Sequence, residues 1–520
     1  MTYISFSFIL FIVVFMVLFH ILPHTRLKQV VILAGNLFFY TMADGLLQLI
    51  PMIILSVVIY FAAFCITGIY APIDKETEGL SYREKTKIIQ KYKIRARMVL
   101  VPALIAVIGI LVMGKLLRFT GVGPDGIFSF LILPLGLSYY TLSSAGYLLD
   151  VFWRKTKAEK DFLLLVLCIS YFPAIVEGPI NKYSELMGCF RNLPGFSYPV
   201  FTRGLQRILW GFFKKLVIAD RIALYTGPVL SDAGSYAGFE LFFAVILCAV
   251  QLYTDFSGCM DIAIGVSEAI GVRMKENFEQ PFFARSAGEF WRRWHISLGE
   301  WFREYIYMPL AVNPGVLKLS TGINKRLGGG KRAGQFSSAL IPIMTVWVLT
   351  GLWHGTGVDY LVWGLYWGIL ILIETAFSRD FDAMYVKLNV DTGSWSFRLY
   401  LMIKTFIFFA IGRMLTVTGS LSGFIVLIKR MFIFNPWVLF DGSLYTHGLS
   451  QKGFYTLIFA IVIMWAVEIK KEKKKDFRGM IAAQPLVFRW ICWYALLVFV
   501  LLFGVYGPGF QTSDFTYRGF

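Results

Sequence analysis

Long apolar stretches recur along the whole chain, separated by shorter polar segments. About twenty apolar residues are enough to cross a bilayer as a helix. The chain shows no fixed-period repeat, and no soluble domain interrupts it. We therefore predict an all-α, polytopic transmembrane protein with about ten to thirteen spans, forming one integral-membrane domain over residues 1–520. The predicted spans are 3–22, 29–43, 46–70, 98–117, 127–150, 161–180, 239–268, 340–375 (one segment or two short pieces), 396–418, 421–434, 453–469 and 485–506.

Two further segments, 203–225 and 282–310, have a helical but more amphipathic pattern. Within Phe290–Leu310, a helical period separates an apolar arc from a charged face, which is typical of a helix at the membrane interface or against a transmembrane core. His295 is the polar exception on the apolar arc, and a lone histidine there also fits a purely structural role. The arc comprises Trp291, Trp294, His295, Leu298, Phe302, Tyr305 and Ile306, opposite Arg292, Arg293, Glu300, Arg303 and Glu304.

A second histidine, His354, lies in the apolar segment Leu340–Ile373, where the other ionisable groups are Asp359 and tyrosines. Lipid cannot compensate a polar group, so an ionisable residue in such a segment is a candidate for function. The glycines at 351, 355 and 357 permit close helix packing or a break in the helix where backbone lines a cavity. Packing through small residues explains the glycines but not the histidine.

Composition and charge agree with a membrane protein. The chain is 57% hydrophobic and 16% charged, against about 25% charged residues in soluble domains. Its net charge of +18 comes from basic residues between apolar segments, as the positive-inside rule and anionic headgroups produce. We therefore expect the lipid bilayer, and not nucleic acid, as the partner. The scattered cysteines form no CxxC pair, which indicates neither disulfides nor a metal site.

The distribution of charge also predicts an orientation. The connections 24–28, 73–97, 153–160 and 470–478 are basic, which places them in the cytoplasm. The turn 121–126 has no basic residue and is expected outside. The first segment lacks the basic start and the cleavage site of a signal peptide, so it is read as a retained helix. Counting spans from these loops puts both termini outside.

The chain resembles the membrane-bound O-acyltransferase (MBOAT) family, in its bacterial alginate and polysaccharide O-acetyltransferase branch. The resemblance covers most of residues 134–364, and the blocks FWRRWHISL and GLWHG in that order are its most specific part. The matching stretches are 134–155 (PLGLSYYTLSSAGYLLDVFWRK), 177–180 (EGPI), 211–223 (GFFKKLVIADRIA), 253–265 (YTDFSGCMDIAIG), 277–310 (NFEQPFFARSAGEFWRRWHISLGEWFREYIYMPL) and 349–364 (LTGLWHGTGVDYLVWG).

The resemblance implies a motif core at 134–375, helices around a central cavity, and location in a bacterial inner membrane. It also implies that His295 and His354 are the family's two motif histidines, with the second taken as catalytic. We expect five nearby residues to line the cavity or the substrate: Trp294, Trp353, Asp255, Ser257 and Asp359. The block YTDFSGCMD has Cys259 where an aromatic residue is common, which leaves the acceptor open.

O-acylation would join a cytoplasmic thioester donor, acetyl-CoA or an acyl-carrier thioester, to a hydroxyl of an extracytoplasmic polysaccharide. A hydroxyl needs an adjacent base, and a buried neutral His354 could take its proton. His295 would either orient the substrate or donate to the developing oxyanion. The basic segment Lys318–Arg332 could receive phosphates of coenzyme A or an acidic carrier protein, although positive-inside patterning also explains it. No tightly bound cofactor and no nucleotide-binding motif is indicated.

Two other functions remain open from the sequence. A transferase of the teichoic-acid type would move D-alanine instead of acetyl. A transporter or polysaccharide exporter would use His354 and Asp359 as a proton relay, but no inverted repeat with paired broken helices supports it. A glycosyltransferase fits less well, because the two membrane histidines are not accompanied by a paired-carboxylate site.

The C-terminal tail, residues 504–520, follows the last predicted span. Its glycines and proline disfavour helix, and it ends in the aromatic residues Phe515, Tyr517 and Phe520. These rings also fit a role as an interfacial anchor alone. The ending also resembles the aromatic C-terminal motif of cell-envelope acylation systems, which implies Tyr517 as an acyl carrier that passes the group to a separate external acyltransferase.

Overall fold

The computed structural model describes residues 1–119 and 134–506, and helix is the regular secondary structure of these ranges. An isolated antiparallel bridge between Phe278 and Trp294 is the exception. Eight helices among the described residues are long and apolar enough to cross a membrane. The predicted all-α, polytopic class is therefore confirmed.

The described chain divides into two units, residues 1–208 with 262–275 and residues 209–261 with 276–506. Helices α10 and α12 each contribute residues to both. The helices of the first unit are α1 (Phe6–Ile21), α2 (Thr25–Asp44), α3 (Leu49–Tyr70), α4 (Ile73–Glu76), α5 (Tyr82–Phe119), α6 (Leu137–Phe152), α7 (Phe162–Ser170), α8 (Phe172–Ile175), α9 (Tyr183–Arg191) and most of α10 (Tyr198–Phe212).

The second unit contains the motif histidines. Its α-helices are α11 (Asp220–Ser231), most of α12 (Gly238–Ala269), α13 (Ala287–Arg293), α14 (Ile296–Phe302), α15 (Met308–Ala311), α16 (Pro314–Arg326), α17 (Gly330–His354), α18 (Val358–Lys387), α19 (Trp395–Val417), α20 (Leu421–Met431), α21 (Gln451–Glu472), α22 (Phe477–Ala482) and α23 (Leu486–Phe503). Its other helical turns are π-helices at Phe213–Ala219 and Arg303–Tyr307 and 3-10 turns at Pro281–Phe283, Pro436–Leu439 and Ser443–Tyr445.

Over residues 1–119 and 134–506, eight helices are long and apolar enough to span a membrane, fewer than the ten to thirteen spans that the sequence predicts for the whole chain. The apolar stretch 161–180 is divided into two short helices, α7 and α8, because the chain leaves helical geometry at Tyr171, two residues before Pro173. Proline in a helix interior removes a backbone hydrogen bond and clashes with the preceding turn, whereas it is tolerated in the first turn of a new helix, where Pro173 lies in α8. Helix α1 has only 16 residues, and part of the predicted span 127–150 lies outside the described residues. Apolar composition alone therefore overestimates the spans.

The basic connection 73–97 is mostly helical, which the sequence did not predict. Helix α5 begins at Tyr82 and has 38 residues, so at 1.5 Å per residue it is about 57 Å long. The hydrocarbon core is only about 30 Å thick. The basic first half of α5 is thus a continuation of the spanning helix and not a flexible loop.

Helices α17 and α18 form a tight hairpin in the second unit. A Cβ atom on Gly351 would lie 2.5 Å from the carbonyl oxygen of Tyr360, and one on Gly364 would lie 2.4 Å from that of Trp347. Only glycine allows the two backbones to approach this closely. The predicted segment 340–375 is therefore two helices, which meet through glycines and are separated by a break immediately after His354.

Candidate active site

His295 lies at a break between two short helices. The sequence predicted one amphipathic helix over Phe290–Leu310, and this prediction is wrong: α13 ends at Arg293 and α14 begins at Ile296. Residues 293–296 instead pair with residues 277–279, through hydrogen bonds from Glu279 N to Arg293 O (2.9 Å) and from Ile296 N to Asn277 O (3.1 Å). This pairing takes the backbone out of helical geometry at the histidine.

The backbone of His295 is in the left-handed region, with φ 48° and ψ 50°. A side chain with a Cβ rarely adopts this conformation unless its surroundings impose it, and such residues cluster at functional sites. The conformation turns the imidazole inward, where it is 6% exposed. The strain is thus associated with a buried ionisable group, which supports a role beyond packing.

The imidazole of His295 packs between aromatic rings and hydrogen bonds to an amide. The ring of Phe256 lies 4.9 Å from it and the ring of Trp353 lies 6.0 Å from it, centroid to centroid. Its Nδ1 lies 3.3 Å from Oδ1 of Asn277. Burial lowers the pKa of His295 from 6.5 to about 3, because removal from water disfavours the charged ring. His295 is therefore neutral at physiological pH.

His354 is the last residue of α17, where the helix stops before Gly355. Its side chain is 6% exposed. The ring of Trp353 lies 4.6 Å from its imidazole, and the ring of Trp363 on α18 lies 5.1 Å from it. Because the ring of Trp353 also lies beside His295, one indole is in ring contact with both motif histidines. The structure thus places His295, His354 and Trp353 close together.

A cluster of tryptophan rings connects the helix before His295 to the hairpin that carries His354. The ring of Trp291 on α13 lies 4.8 Å from that of Trp347 on α17 and 5.1 Å from that of Trp367 on α18. The carboxylate of Glu374 on α18 accepts hydrogen bonds from the first two backbone N–H groups of α13, at 3.0 and 3.1 Å. A carboxylate at a helix N-terminus is favourable, so α13 is held firmly to the hairpin.

Asp255 and Ser257 lie on α12, but their contacts are with lysines of the π-helix Phe213–Ala219. Nζ of Lys215 lies 2.6 Å from Asp255, and Nζ of Lys214 donates to the hydroxyl of Ser257 at 2.8 Å. Lys215 also pairs with Asp220 at 2.9 Å, and Lys214 with Asp261 at 2.6 Å. These buried charges are therefore paired with one another. It is Phe256, between the two predicted residues, whose ring faces His295.

Trp294 and Asp359 are the remaining predicted lining residues, and Tyr517 is the predicted acyl carrier. The ring of Trp294 packs against those of Phe278 (5.0 Å) and Phe409 (4.8 Å). Asp359 is in the first turn of α18 with its carboxylate against Gly357, and it is partly exposed. Tyr517 lies beyond residue 506, outside the described residues. Within the described ranges, no group of three or more His, Cys, Asp or Glu side chains could hold a metal ion.

Sequence reasoning missed Asn277, which holds the turn that carries His295. Its side chain is 1% exposed, and its Oδ1 accepts hydrogen bonds from the backbone N–H (3.0 Å) and the hydroxyl (2.9 Å) of Ser297. Asn277 is the first residue of the motif block that contains His295, but it lies 18 positions earlier. The only signal was therefore its membership in that block, since periodicity cannot reveal a pairing between distant segments.

Comparison with known proteins adds independent information. Residues 161–321 match the sequence model of the membrane-bound O-acyltransferase family, a range that includes His295 and ends before His354. The chain is 31% identical, over 60% of its length, to the probable alginate O-acetylase AlgI of Pseudomonas syringae pv. tomato, and 31% identical, over 48%, to the peptidoglycan O-acetyltransferase of Helicobacter pylori. It is 26% identical, over 49%, to the teichoic acid D-alanyltransferase of Bacillus subtilis.

The matches span 54%, 49% and 61% of those relatives, respectively. The chain thus covers about half the length of the curated O-acetyltransferases that it resembles. All three relatives carry the name of an acyl-transferring protein, and the helical membrane architecture agrees with the family match. The chain belongs to the membrane-bound O-acyltransferase family.

Proposed function

We propose that this protein is a membrane O-acyltransferase that moves an acyl group, acetyl in the first place, from a cytoplasmic thioester toward hydroxyls of an extracytoplasmic polysaccharide. The observation that carries the proposal is the pair of buried imidazoles, His295 and His354, which lie at two helix breaks and are both in ring contact with Trp353. Buried ionisable groups in a membrane protein are costly to retain and mark functional sites. Family membership supports acyl transfer as the reaction.

His354 is the general base of the proposed reaction. The acceptor hydroxyl gives its proton to the imidazole as its oxygen attacks the thioester carbonyl carbon, so that a C–O bond forms and the C–S bond breaks. The imidazolium then returns the proton to the departing thiolate sulfur, which leaves as a thiol. A positioned base typically contributes about 10²–10⁴-fold. The tight α17–α18 hairpin supports this role, because it fixes His354 at the rigid end of a helix.

The donor is a soluble thioester, acetyl-CoA or an acyl carrier, and no tightly bound cofactor is proposed. The basic segment Lys318–Arg332 supports an anionic donor, because its side chains are accessible. Five cations are exposed at the end of α16 and the beginning of α17: Lys318, Lys325, Arg326, Lys331 and Arg332. Their surface position also suits lipid phosphates, so their contribution to donor affinity has to be measured directly.

The acceptor side of the proposal places the protein in a bacterial inner membrane with both termini outside. The charge pattern of the loops supports this orientation. Tyr517 would receive the acyl group on its phenol, with His354 as base, and a separate external acyltransferase would move it to the polysaccharide. This step rests on the sequence of the tail alone, because Tyr517 lies outside the described residues.

D-alanyl transfer is the second candidate function. The similarity to the teichoic acid D-alanyltransferase of Bacillus subtilis, at 26% identity, favours it, whereas the two O-acetyltransferases at 31% identity favour acetyl. The deciding measurement is the mass added to the envelope polysaccharide in cells with and without this protein. We expect acetyl esters on the polysaccharide of cells that contain the protein and none on that of cells that lack it. D-alanyl esters would select the second candidate, and an unchanged polymer together with substrate counterflow in liposomes would indicate a transporter.

A further inference from the structure

Asn277 makes its contacts with the very turn that carries His295. Its Oδ1 is approached by three groups: the backbone N of Ser297 at 3.0 Å, the hydroxyl of Ser297 at 2.9 Å and Nδ1 of His295 at 3.3 Å. Its Nδ2 donates to the sulfur of Met260 at 3.2 Å, and its backbone oxygen accepts from Ile296 N at 3.1 Å. The segment 295–297 is thus held by one residue through both backbone and side chain.

These contacts determine which side of the amide faces the imidazole. A backbone N–H can only donate a hydrogen bond, so the atom next to the N–H of Ser297 has to be the amide oxygen. The same oxygen faces Nδ1 of His295. An amide oxygen can only accept, and Nδ1 therefore has to carry the hydrogen. In the neutral ring the other nitrogen, Nε2, then has a free lone pair.

We propose that Asn277 is a positioning residue that holds His295 as the Nδ1–H tautomer, so that Nε2 accepts a hydrogen bond from a substrate group other than the reacting hydroxyl, whose single hydrogen goes to His354. Of the two roles that the sequence leaves open for His295, this one orients the substrate. Donation to the oxyanion is excluded, because a neutral ring with its hydrogen on Nδ1 has none on Nε2. The inference deepens the proposed function and rests on it for the identity of the substrate.

Two features of the surroundings support this assignment. The low pKa of His295, about 3 because of burial, keeps the ring neutral over the physiological range. The groups packed against the ring are the aromatic side chains of Phe256 and Trp353 and the amide of Asn277, and none of these is charged. The second nitrogen therefore remains a lone-pair acceptor whenever the ring is in place.

The tautomer is measurable in the wild-type protein, with one variant needed only to assign the signal. We would record the ¹⁵N shifts of the full chain, labelled at histidine and reconstituted in nanodiscs, and assign His295 by its loss in His295→Gln. We expect a protonated Nδ1 and an unprotonated Nε2 for His295 across pH 5–8. A protonated Nε2 in this range would overturn the proposal. Because this readout does not depend on turnover, it stands even where the wild-type protein transfers no acyl group, an outcome that would contradict the proposed function alone.

Two variants of Asn277 test the positioning role. Asn277→Ala should release Nδ1, give a mixture of tautomers and lower kcat by about 10-fold or more, up to the ~10²–10⁴ of a positioned group. Asn277→Asp keeps an oxygen for Nδ1–H but adds a negative charge, which raises the pKa of the imidazole. It should therefore preserve the tautomer, recover part of the kcat lost in Asn277→Ala and move the acidic limb of the pH profile upward.

Asn435→Ala is the matched control. Asn435 is also a buried asparagine that bridges backbone, with Oδ1 accepting from Phe239 N at 2.7 Å and Nδ2 donating to Ala237 O at 3.0 Å. It contacts the start of α12, about 27 Å along that helix from Phe256. Its loss should lower stability without moving the His295 tautomer or the pH profile. An unchanged tautomer and pH profile in both Asn277 variants would leave Asn277 a structural residue and refute the proposal.

Discussion

A methyl group at Gly351 should disable the protein by displacing His354, three residues further along α17. The new Cβ would lie 2.5 Å from the carbonyl oxygen of Tyr360, whereas an ordinary van der Waals contact begins at 3.4 Å. Backbone cannot rotate away as a side chain can, so α17 and α18 would have to separate by about 0.9 Å. Overpacking of this kind costs about 1–3 kcal/mol, which alanine's better helix propensity offsets by up to ~1 kcal/mol.

The stability loss expected for Gly351→Ala is therefore between about 0 and 3 kcal/mol, and we expect a loss of kcat in addition. A misplacement of about 1 Å can reduce a reaction rate by ~10²-fold, so we expect kcat for acyl transfer to fall by roughly 10- to 100-fold. Acyl transfer and the thermal unfolding midpoint would be measured on purified protein in detergent. Gly109→Ala, in the spanning helix α5 with no neighbouring atom within 4 Å, is the control and should lose neither. Wild-type kcat in Gly351→Ala would refute the reasoning.

Three further predictions concern pH, orientation and the tail. Since the pKa of His295 falls from 6.5 to about 3 on folding, the unfolded state binds the proton first, and stability should fall by up to about 1.4 kcal/mol per pH unit as pH drops from 6.5 toward 3. The unfolding midpoint of His295→Gln should decrease less over this window, and parallel curves would argue against a buried neutral ring. A cysteine introduced at Lys85 should resist an impermeant external reagent in intact cells, and labelling would reverse the proposed orientation. Tyr517→Phe should abolish polymer acylation while the protein inserts normally, and full acylation would leave the ring as an anchor only.

The sequence left room for a break beside His354, but it gave no sign of the break at His295. Glycines at 351, 355 and 357 are local signals, and they lie where α17 ends and approaches α18. By contrast, the break at His295 comes from pairing with residues 277–279, a contact between segments that helical periodicity does not describe. A regular period therefore predicted an uninterrupted helix through His295, whose backbone is in the left-handed region.

Sequence patterns also do not show which residues of α12 contact His295. The motif block identified the right stretch of the helix, but Asp255, Phe256 and Ser257 point to different neighbours because successive residues differ by about 100° around the axis. Only the packed structure reveals that Phe256 faces His295 and that the polar residues face Lys215 and Lys214. Reasoning from chemistry favoured Asp255 and Ser257 as residues that line the cavity. In the structure, Asp255 forms an ion pair with Lys215, and Ser257 accepts a hydrogen bond from Lys214.

Transfer of a labelled acyl group across a sealed membrane tests the central claim most directly. The purified full chain would be reconstituted in liposomes with a radiolabelled acetyl thioester on one side and a hydroxyl-rich polysaccharide on the other. With the wild-type protein, the account predicts label in ester linkage to the chain itself, and to the polysaccharide once the separate external acyltransferase is added. His354→Ala should lose both to background at equal insertion and folding. Wild-type transfer by His354→Ala would contradict the assigned base, and no ester formation by the wild-type protein with either acetyl or D-alanyl thioesters would contradict acyl transfer itself.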